Sequence, residues 1–259
     1  MSVRIRTALA LLALLLPMLG ALPAGAVECG KRNFEGVRFS VCEVALPEED
    51  LRLFQTDADG RPWGQFDRLD EALAEDDKRL AFAMNGGMYH TNRAPVGHLV
   101  VDGDERMRLI TNPGPGNFGM LPNGVFCLGD ARAWVMETLR FEKAALECRQ
   151  ASQSGPMLVI EGKLHPKFNR DSSSRLIRNG VGVSPDGRRA VFVMSDSSVN
   201  FHQFARLFRD ELGTPNALYI DGNVSRLYAP SMGRYDLGPE MGPIVGVVEQ
   251  AGQETAASD

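Results

Sequence analysis

Two strand–helix–strand patterns constrain the fold of this chain more than any other feature. Their segments are strand 51–54, helix 64–77 and strand 81–84, then strand 188–196, helix 198–213 and strand 216–221. In each pattern the second strand ends in a polar residue followed by glycine, Asn85-Gly86 or Asp221-Gly222. Strands of a βαβ unit run parallel, and ligands bind outside their carboxyl ends. The sequence therefore predicts that both polar-glycine steps lie on the same edge of one sheet.

The segments between these units are rich in strand patterns. Residues 96–110 predict a β-hairpin around Asp102-Gly103, and residues 180–193 predict a strand, a Pro-Asp-Gly turn and a second strand. We therefore expect a mixed α/β domain of the α+β class. It should contain a large mixed sheet with flanking helices, two βαβ-like units and inserted β-hairpins.

The first 26 residues have the pattern of a secretory signal peptide. Arg4 and Arg6 precede an apolar run, and Ala24-Gly25-Ala26 is a small-residue cleavage site. The sequence therefore predicts a cleaved signal over 1–26, one domain over 27–248, a disordered tail over 249–259, and a periplasmic or secreted protein. The net charge of −5 becomes −7 once these two arginines are removed, which argues against nucleic acid as a partner. No later segment is long and apolar enough to predict a membrane span.

The four cysteines permit three disulfide pairings. The pairing Cys29–Cys42 with Cys127–Cys148 is favoured because each bond closes a short loop, and export permits disulfides. There is no Cys-x-x-Cys motif for a thiolate zinc site. An oxidising compartment also argues against a catalytic thiol.

Most familiar catalytic motifs are missing from the sequence. GPGNFG at 114–119 matches the dinucleotide pattern but precedes a strand pattern, so it predicts a glycine-rich loop and not a nucleotide site. There is no Gly-x-Ser-x-Gly elbow and no His-Glu-x-x-His. His90 and His165 lie in predicted loops and are the candidates for proton transfer. Taken singly, Asn85-Gly86 and Asp221-Gly222 are better explained as turns than as sites, and Arg178-Asn179-Gly180 can also be explained as a turn.

Five motifs in order resemble the phosphodiester glycosidase family. They are AFAMNGGMY (81–89), GPGNFGMLPNGVF (114–126), SGPMLVIEGKLHP (154–166), SSSRLIRNGVGV (172–183) and NALYIDGNVSRLYAP (216–230). The resemblance spans most of residues 33–248 and is greatest to small exported bacterial members. It implies a hydrolase that acts on the glycosidic bond of a sugar-1-phosphodiester or on a related bond in envelope or extracellular glycans. The family motif Asp-Gly-Gly-Gly-Ser is Asp221-Gly222-Asn223-Val224-Ser225 here, so the pocket differs from that of better-known members.

The chemistry that the resemblance implies assigns four catalytic candidates. Asp221 would be the nucleophile or would activate water near the anomeric carbon. Arg178, which aligns with the family's arginine, would stabilise the departing phosphate, with Arg175 as the runner-up. Either His90 or His165 would transfer the proton.

The other candidates would contact the substrate. Asn85 would bind sugar hydroxyls or a phosphate oxygen, and Asp196 would be a second carboxylate unless it caps the helix after it. Glycines at four positions would allow close approach, and two further side chains would make secondary contacts. These residues are Gly86, Gly87, Gly155, Gly222, Tyr89 and Ser225.

Two alternatives stay open at the level of sequence. One is a non-catalytic periplasmic module that binds a glycan or an anion in the same pocket. The other is a calcium or magnesium site formed by Asp221, Asn223 and nearby oxygens. Apart from that ion no cofactor is predicted, and the expected partner is a phosphodiester-containing small molecule or glycan.

Overall fold

The computed structural model describes residues 27–252. The predicted signal peptide, 1–26, and the last seven residues lie outside this range. The strands of the described chain are β1 (Glu28–Phe34), β2 (Val37–Ala45), β3 (Asp50–Phe54), β4 (Lys78–Asn85), β5 (Leu99–Val101), β6 (Asp104–Met107), β7 (Gly124–Leu128), β8 (Ala133–Glu137), β9 (Gln150–Ser154), β10 (Met157–Ile160), β11 (Lys163–Leu164), β12 (Asn179–Val183), β13 (Arg189–Ser195), β14 (Asn216–Asp221), β15 (Leu227–Ala229), β16 (Arg234–Tyr235) and β17 (Ile244–Gln250). Strand β17 includes residues 249 and 250, so the ordered chain passes the boundary that the sequence predicted at 248.

Three α-helices accompany these strands. They are α1 (Phe66–Ala74), α2 (Thr138–Ala144) and α3 (Phe201–Arg206). A π-helical segment, Leu207–Glu211, continues α3, and a short 3-10 turn covers Pro230–Met232. The fold is α+β, as the sequence predicted.

The strands form three sheets where one large sheet was expected. The seven-stranded sheet has the order β1-β2-β13-β12-β14-β10-β11. The two five-stranded sheets have the orders β16-β15-β4-β17-β3 and β6-β5-β9-β7-β8. Every strand pairing within residues 27–252 is antiparallel.

A cluster of phenylalanines joins the three sheets in the centre of the core. Phe192 of β13 lies 5.1 Å from Phe82 of β4 and 5.8 Å from Phe126 of β7, measured between ring centroids. Each ring belongs to a different sheet, so the three apolar faces share one core. The opposite face of β13 packs under α3 and the π-helical segment after it, where Phe204 and Phe208 are buried. Because both its faces are covered, β13 is an almost continuous apolar run.

The expected placement of the two polar-glycine steps on one sheet edge is wrong. Strand β12 lies between β13 and β14, and β17 lies between β3 and β4, so the parallel strands of each unit never pair directly. Asn85 ends a strand of one sheet and Asp221 ends a strand of another. The physical reason is that later or earlier segments of the chain supply the antiparallel partner, and helical spacing alone does not encode that choice.

Local predictions in the β-rich segments are confirmed. Strands β5 and β6 form the hairpin around Asp102 and Gly103, whose φ values of 51° and 84° are those of a primed turn. Strands β12 and β13 form the second hairpin. The turn interpretation of residues 178–180 is wrong, because Asn179 and Gly180 begin β12. Both favoured disulfides, Cys29–Cys42 and Cys127–Cys148, are formed.

Candidate active site

A cavity of about 530 Å³ lies beside the end of β14. Its polar lining includes a carboxylate, two phenols, an imidazole and a guanidinium, from Asp221, Tyr89, Tyr219, His90 and Arg93. Apolar groups from the loops after β4 and before β7 complete the wall. We refer to this space as the Asp221 cavity. A concave site with a few convergent polar groups is the usual form of a small-molecule site.

The carboxylate of Asp221 turns back over the loop that follows it. Its Oδ1 accepts hydrogen bonds from the backbone N–H groups of Gly222 (2.6 Å) and Asn223 (2.9 Å), and its Oδ2 accepts from Val224 N (3.4 Å). Burial raises the pKa of this carboxyl, while the three N–H groups oppose the rise. The side chain is therefore fixed in orientation and has less water around it than a surface aspartate.

Asn85 holds the Asp221 loop in place from behind the cavity. Its Oδ1 accepts from Asn179 Nδ2 (3.0 Å) and from Arg226 N (2.7 Å), and its Nδ2 donates to the carbonyl of Val224. Asn179 Oδ1 in turn accepts from Asp221 N at 2.9 Å. Asn85 is fully buried, so the structure uses its amide to connect two sheets. Its polar atoms contact protein groups, which differs from the substrate contact that the sequence suggested.

The glycines after Asn85 allow strands to approach each other. A Cβ on Gly86 would lie 2.7 Å from the backbone carbon of Ile244, and one on Gly87 would lie 2.7 Å from Ser152 Oγ. The N–H of Gly86 already donates to Pro243 O. Neither glycine lines the Asp221 cavity. Both positions therefore need glycine because β4 packs closely against β17 and β9.

Arg178 lies beneath the cavity and does not line it. It is fully buried, with Nε donating to Val199 O (2.9 Å) and one terminal nitrogen donating to Ser174 O (3.1 Å). Its guanidinium carbon stands 3.7 Å from the centroid of the Phe201 ring. Burial lowers the pKa of this guanidinium from its ordinary value. Direct contact with a departing phosphate, the role that the sequence suggested, is blocked in this structure by the residues above it.

Arg93 supplies the guanidinium of the cavity, and sequence analysis missed it. It stands 5.5 Å over the Tyr89 ring, donates to Thr91 O (3.1 Å), and has its Nε 4.0 Å from a carboxylate oxygen of Glu240. That Nε is buried and has no hydrogen-bond partner. The residue has a φ of 68° in the loop after β4. No sequence pattern predicts where a loop arginine will point.

Tyr219 was also missed, although the sequence contained a usable signal. It lies two residues before Asp221 on β14, and side chains at that spacing share a face of a strand. Both residues line the cavity. A Cβ on Gly222 would lie only 2.2 Å from the Tyr219 hydroxyl. Glycine at 222 therefore makes room for the phenol that this face presents.

The two candidate histidines lie in different environments, and only one of them is at the cavity. His90 is exposed and lines the Asp221 cavity. His165 is buried and stacks on Phe168 at 4.7 Å, and its Nδ1 accepts from Lys167 N at 3.2 Å. Burial is the main cause that lowers the pKa of His165, and the positive charge of Lys167 lowers it further. Only His90 faces the cavity.

Several other predicted site residues lie away from the Asp221 cavity. Asp196 accepts hydrogen bonds from Lys31 (2.7 Å), Ser40 (2.9 Å) and Arg234 (2.9 Å) in a separate charged cluster. Burial acts to raise the pKa of Asp196, but these donors outweigh it and the pKa falls. The alternative role of Asp196 as a helix cap is also wrong, because Asn200 caps α3.

Three further predicted residues make internal or surface contacts. Arg175 is exposed and donates to Gln203 at 3.1 Å. Ser225 donates to the carbonyl of Ile177 at 3.1 Å. Gly155 is buried, and a Cβ there would lie 2.6 Å from Asn123 Cβ. None of the three lines the Asp221 cavity.

The glycine-rich loop of residues 114–119 forms part of the cavity wall. Pro115, Gly116, Asn117 and Phe118 all line it. A strand, β7, follows this loop where a dinucleotide site would need a helix. For the metal hypothesis, residues 27–252 contain no group of three or more histidine, cysteine, aspartate or glutamate side chains placed to hold an ion. A cation at Asp221 stays a prediction.

The chain matches known proteins at the level of family, sequence and fold. A profile of the family described as phosphodiester glycosidase matches residues 78–238. An uncharacterized protein of Escherichia coli (strain K12), YigE, is 34% identical over 180 residues, which are 70% of each chain.

Two solved structures share the fold at low sequence identity. The first is the catalytic domain of zebrafish N-acetylglucosamine-1-phosphodiester alpha-N-acetylglucosaminidase, auto-inhibited by its pro-peptide. It has a TM-score of 0.57 and 14% identity, over 85% of this chain and 81% of that one. The second is a protein of Burkholderia pseudomallei K96243 that is thought to be exported. It has a TM-score of 0.52 and 11% identity, over 82% of this chain and 74% of that one.

Proposed function

The chain belongs to the phosphodiester glycosidase family, and on that premise we propose that it hydrolyses the glycosidic bond of a sugar-1-phosphodiester and so releases the free sugar and a phosphomonoester. A related bond in envelope or extracellular glycans belongs to the same proposal. The zebrafish enzyme with this fold is named for an N-acetylglucosamine-1-phosphodiester. That name supports the substrate class, while the altered sequence at residues 223 and 224 favours a different sugar or aglycone.

One observation carries this proposal: the Asp221 cavity holds a fixed carboxylate and a guanidinium together. Both Asp221 and Arg93 line the same space of about 530 Å³. A sugar-1-phosphodiester needs a carboxylate at its anomeric carbon and a cation at its phosphate. The cavity offers both kinds of group, with Glu240 as a second and exposed carboxylate at its edge.

On the sugar side, Asp221 would act at the anomeric carbon. Cleavage of a glycosidic bond passes through an oxocarbenium-like state, which a carboxylate stabilises or captures. The backbone N–H groups of residues 222–224 hold the carboxylate in one orientation. Preorganised groups of this kind need no rearrangement during the reaction.

On the phosphate side, Arg93 would take the role that the sequence gave to Arg178. Cleavage of the sugar C–O bond releases a phosphomonoester, which is a stable anion, so a fixed cation stabilises this leaving group better than a strong acid does. Arginine suits this task because its planar fork matches phosphate oxygens. Binding of the phosphate would replace the long contact between Arg93 and Glu240. His90, which lines the same cavity, would move the proton to or from water.

A binding-only module is the second candidate, and one observation favours it. All three hydrogen bonds of the Asp221 carboxylate come from its own loop, as they would in a turn that serves structure alone. In that case the cavity would hold a glycan or anion without cleaving it. The experiment below separates the two functions.

The proposed place of action is the periplasm or the exterior of the cell. The signal-like sequence of residues 1–26 supports export. The two disulfides fit an oxidising compartment. Within residues 27–252, no helix has both the length and the apolar character to span a bilayer.

The test is to assay the purified protein on a panel of sugar-1-phosphodiesters, with Asp221→Asn as the variant. We expect Asp221→Asn to lower turnover by about 10³-fold or more, while calorimetry shows nearly unchanged affinity for the diester. Asp186→Asn is the matched control, because Asp186 also accepts hydrogen bonds from its own turn but lies outside the cavity. Binding without turnover by the wild-type protein would support the module. Equal turnover by wild type and Asp221→Asn would refute the role of Asp221.

A further inference from the structure

Arg178 is a buried cation without a carboxylate partner in the described chain. Its Nε and one terminal nitrogen donate to backbone carbonyls, and the other terminal nitrogen makes no hydrogen bond of normal geometry. Burial lowers the pKa of this guanidinium, but the Tyr219 hydroxyl interacts with it and acts to raise that pKa. No salt bridge of residues 27–252 includes it. An unpaired buried charge is costly. Arg178 lies next to Tyr219, which lines the Asp221 cavity, so a functional role at the cavity would explain why this cost is tolerated.

An aromatic stack fixes Arg178 in position. The Phe201 ring lies 3.7 Å from its guanidinium carbon, and Phe168 stacks on the other side of that ring at 5.0 Å with an interplanar angle of 5°. His165 continues the stack on Phe168. The cation is held by rigid groups on one side, so its charge has a fixed direction relative to the cavity.

Tyr219 separates this cation from the Asp221 cavity. The guanidinium carbon of Arg178 is 5.4 Å from the Tyr219 ring centroid, and the ring stands edge-on to Phe201 at 4.8 Å. Tyr219 lines the cavity together with Asp221 and Asn117. Tyr219 is therefore the side chain that contacts both the buried Arg178 cation and the cavity.

We propose that the Tyr219 hydroxyl donates a hydrogen bond to the phosphate of the substrate, and that Arg178 is the positioning residue behind it. This inference rests on the proposed function and specifies its substrate as an anion bound next to Asp221. Arg178 then acts on a charge that it does not touch, because a low-dielectric path strengthens the interaction. Arg93 binds the phosphate from the cavity wall and Tyr219 from the cavity floor.

The surroundings of Tyr219 keep its phenol protonated, so its hydroxyl stays a hydrogen-bond donor. Burial is the largest influence on the Tyr219 phenol, and it raises the pKa well above the ordinary value, although Arg178 acts in the opposite direction. The hydroxyl therefore keeps its proton at any physiological pH. A neutral phenol beside a buried cation favours an anionic acceptor over a neutral one.

The experiment compares a sugar-1-phosphodiester with its neutral methyl phosphotriester. The quantity measured is the ratio of kcat/KM for the two compounds, which reports preference for charge. We expect Tyr219→Phe to lower kcat/KM for the diester by about 100-fold and to lower it much less for the triester. Arg178→Met should lower the same ratio, and Arg178→Lys should restore part of it. Tyr235→Phe, an exposed tyrosine outside the cavity, is the matched control and should change neither value.

A binding measurement keeps this test independent of turnover and of the folding of Arg178→Met. Calorimetry with the diester compares Asp221→Asn with the double variant Asp221→Asn/Tyr219→Phe, and we expect about 10-fold weaker binding by the latter. If the wild-type protein turns over neither compound but this difference is seen, the proposed hydrolysis fails and the inference holds. Equal losses for diester and triester, or equal affinity of the two proteins, would overturn the inference.

Discussion

Replacing Asn85 with alanine would remove the amide that joins two sheets behind the cavity. This amide is fully buried and makes three hydrogen bonds. It donates to Val224 O and accepts from Asn179 Nδ2 and Arg226 N. The partners are 94, 139 and 141 residues away in the chain. The substitution therefore breaks tertiary contacts and leaves the helices and local turns unchanged.

The structure gives the size of the expected effect. Each broken hydrogen bond contributes about 1 kcal/mol net, and a buried group left without a partner costs about 1–3 kcal/mol. Three such groups remain after Asn85→Ala, which sums to about 3–9 kcal/mol. Because the contact with Val224 O is only partly buried, water can satisfy that carbonyl, and the free energy of unfolding should fall by the lower part of this range, about 3–5 kcal/mol. That loss is a large part of the about 5–15 kcal/mol that stabilises a typical domain. The Asp221 loop should also lose its fixed position, because residues 224 and 226 are both released.

Urea unfolding, followed by fluorescence, measures the loss. Asn216→Ala is the matched control, since this β14 asparagine accepts one exposed hydrogen bond from Glu161 N and should cost about 1 kcal/mol or less. If Asn85→Ala and Asn216→Ala unfold within about 0.5 kcal/mol of each other, the amide does not hold the sheets as described.

Three further predictions follow from the same geometry. Gly222→Ala places a Cβ 2.2 Å from the hydroxyl of buried Tyr219, so the phenol must shift. Turnover should fall, and the free energy of unfolding should fall by about 1–3 kcal/mol in urea unfolding; unchanged turnover would contradict the contact. Burial raises the pKa of Asp221, so activity that needs the carboxylate should be lost as pH falls, at a higher pH than for an exposed aspartate; a pH–rate profile measures this. Burial also raises the pKa of Glu49 to about 7, and the negative charge of Glu249 is the second cause of this rise. A raised carboxyl pKa contributes stability below its unfolded value that is lost as pH rises through about 7. Glu49→Gln should therefore be more stable than wild type at pH above about 7, by about 1 kcal/mol after allowance for its partial exposure, and equally stable near pH 4; a difference independent of pH would refute this.

Much of the local structure follows from short-range patterns. The apolar run before Asn85, the amphipathic spacing of α1 and the primed turn at Asp102-Gly103 each arise from residues that are neighbours in sequence. The two disulfides were also favoured correctly from loop length. These features depend on local backbone preference and on which face of an element is apolar.

The candidate site was predicted only in part. Asp221, His90 and Tyr89 do line one cavity, whereas Arg178, His165 and Asn85 are buried outside it. Residue type identified groups that are costly to bury, but it did not show which way each one points. Arg93, in an irregular loop, had no pattern from which its direction could be predicted.

The sequence by itself determined the α+β class of this protein, its family and several of its strands and helices, because periodicity, turn chemistry and motif order are properties of neighbouring residues. Only the tertiary structure decided which groups share the cavity. Strand β12 inserts between β13 and β14, and β17 inserts between β3 and β4. This pairing brings Asn85, Asn179 and Asp221 together from two sheets and leaves Arg178 beneath Tyr219. Such contacts span many tens of residues, and they are set by the packing of whole sheets against one core.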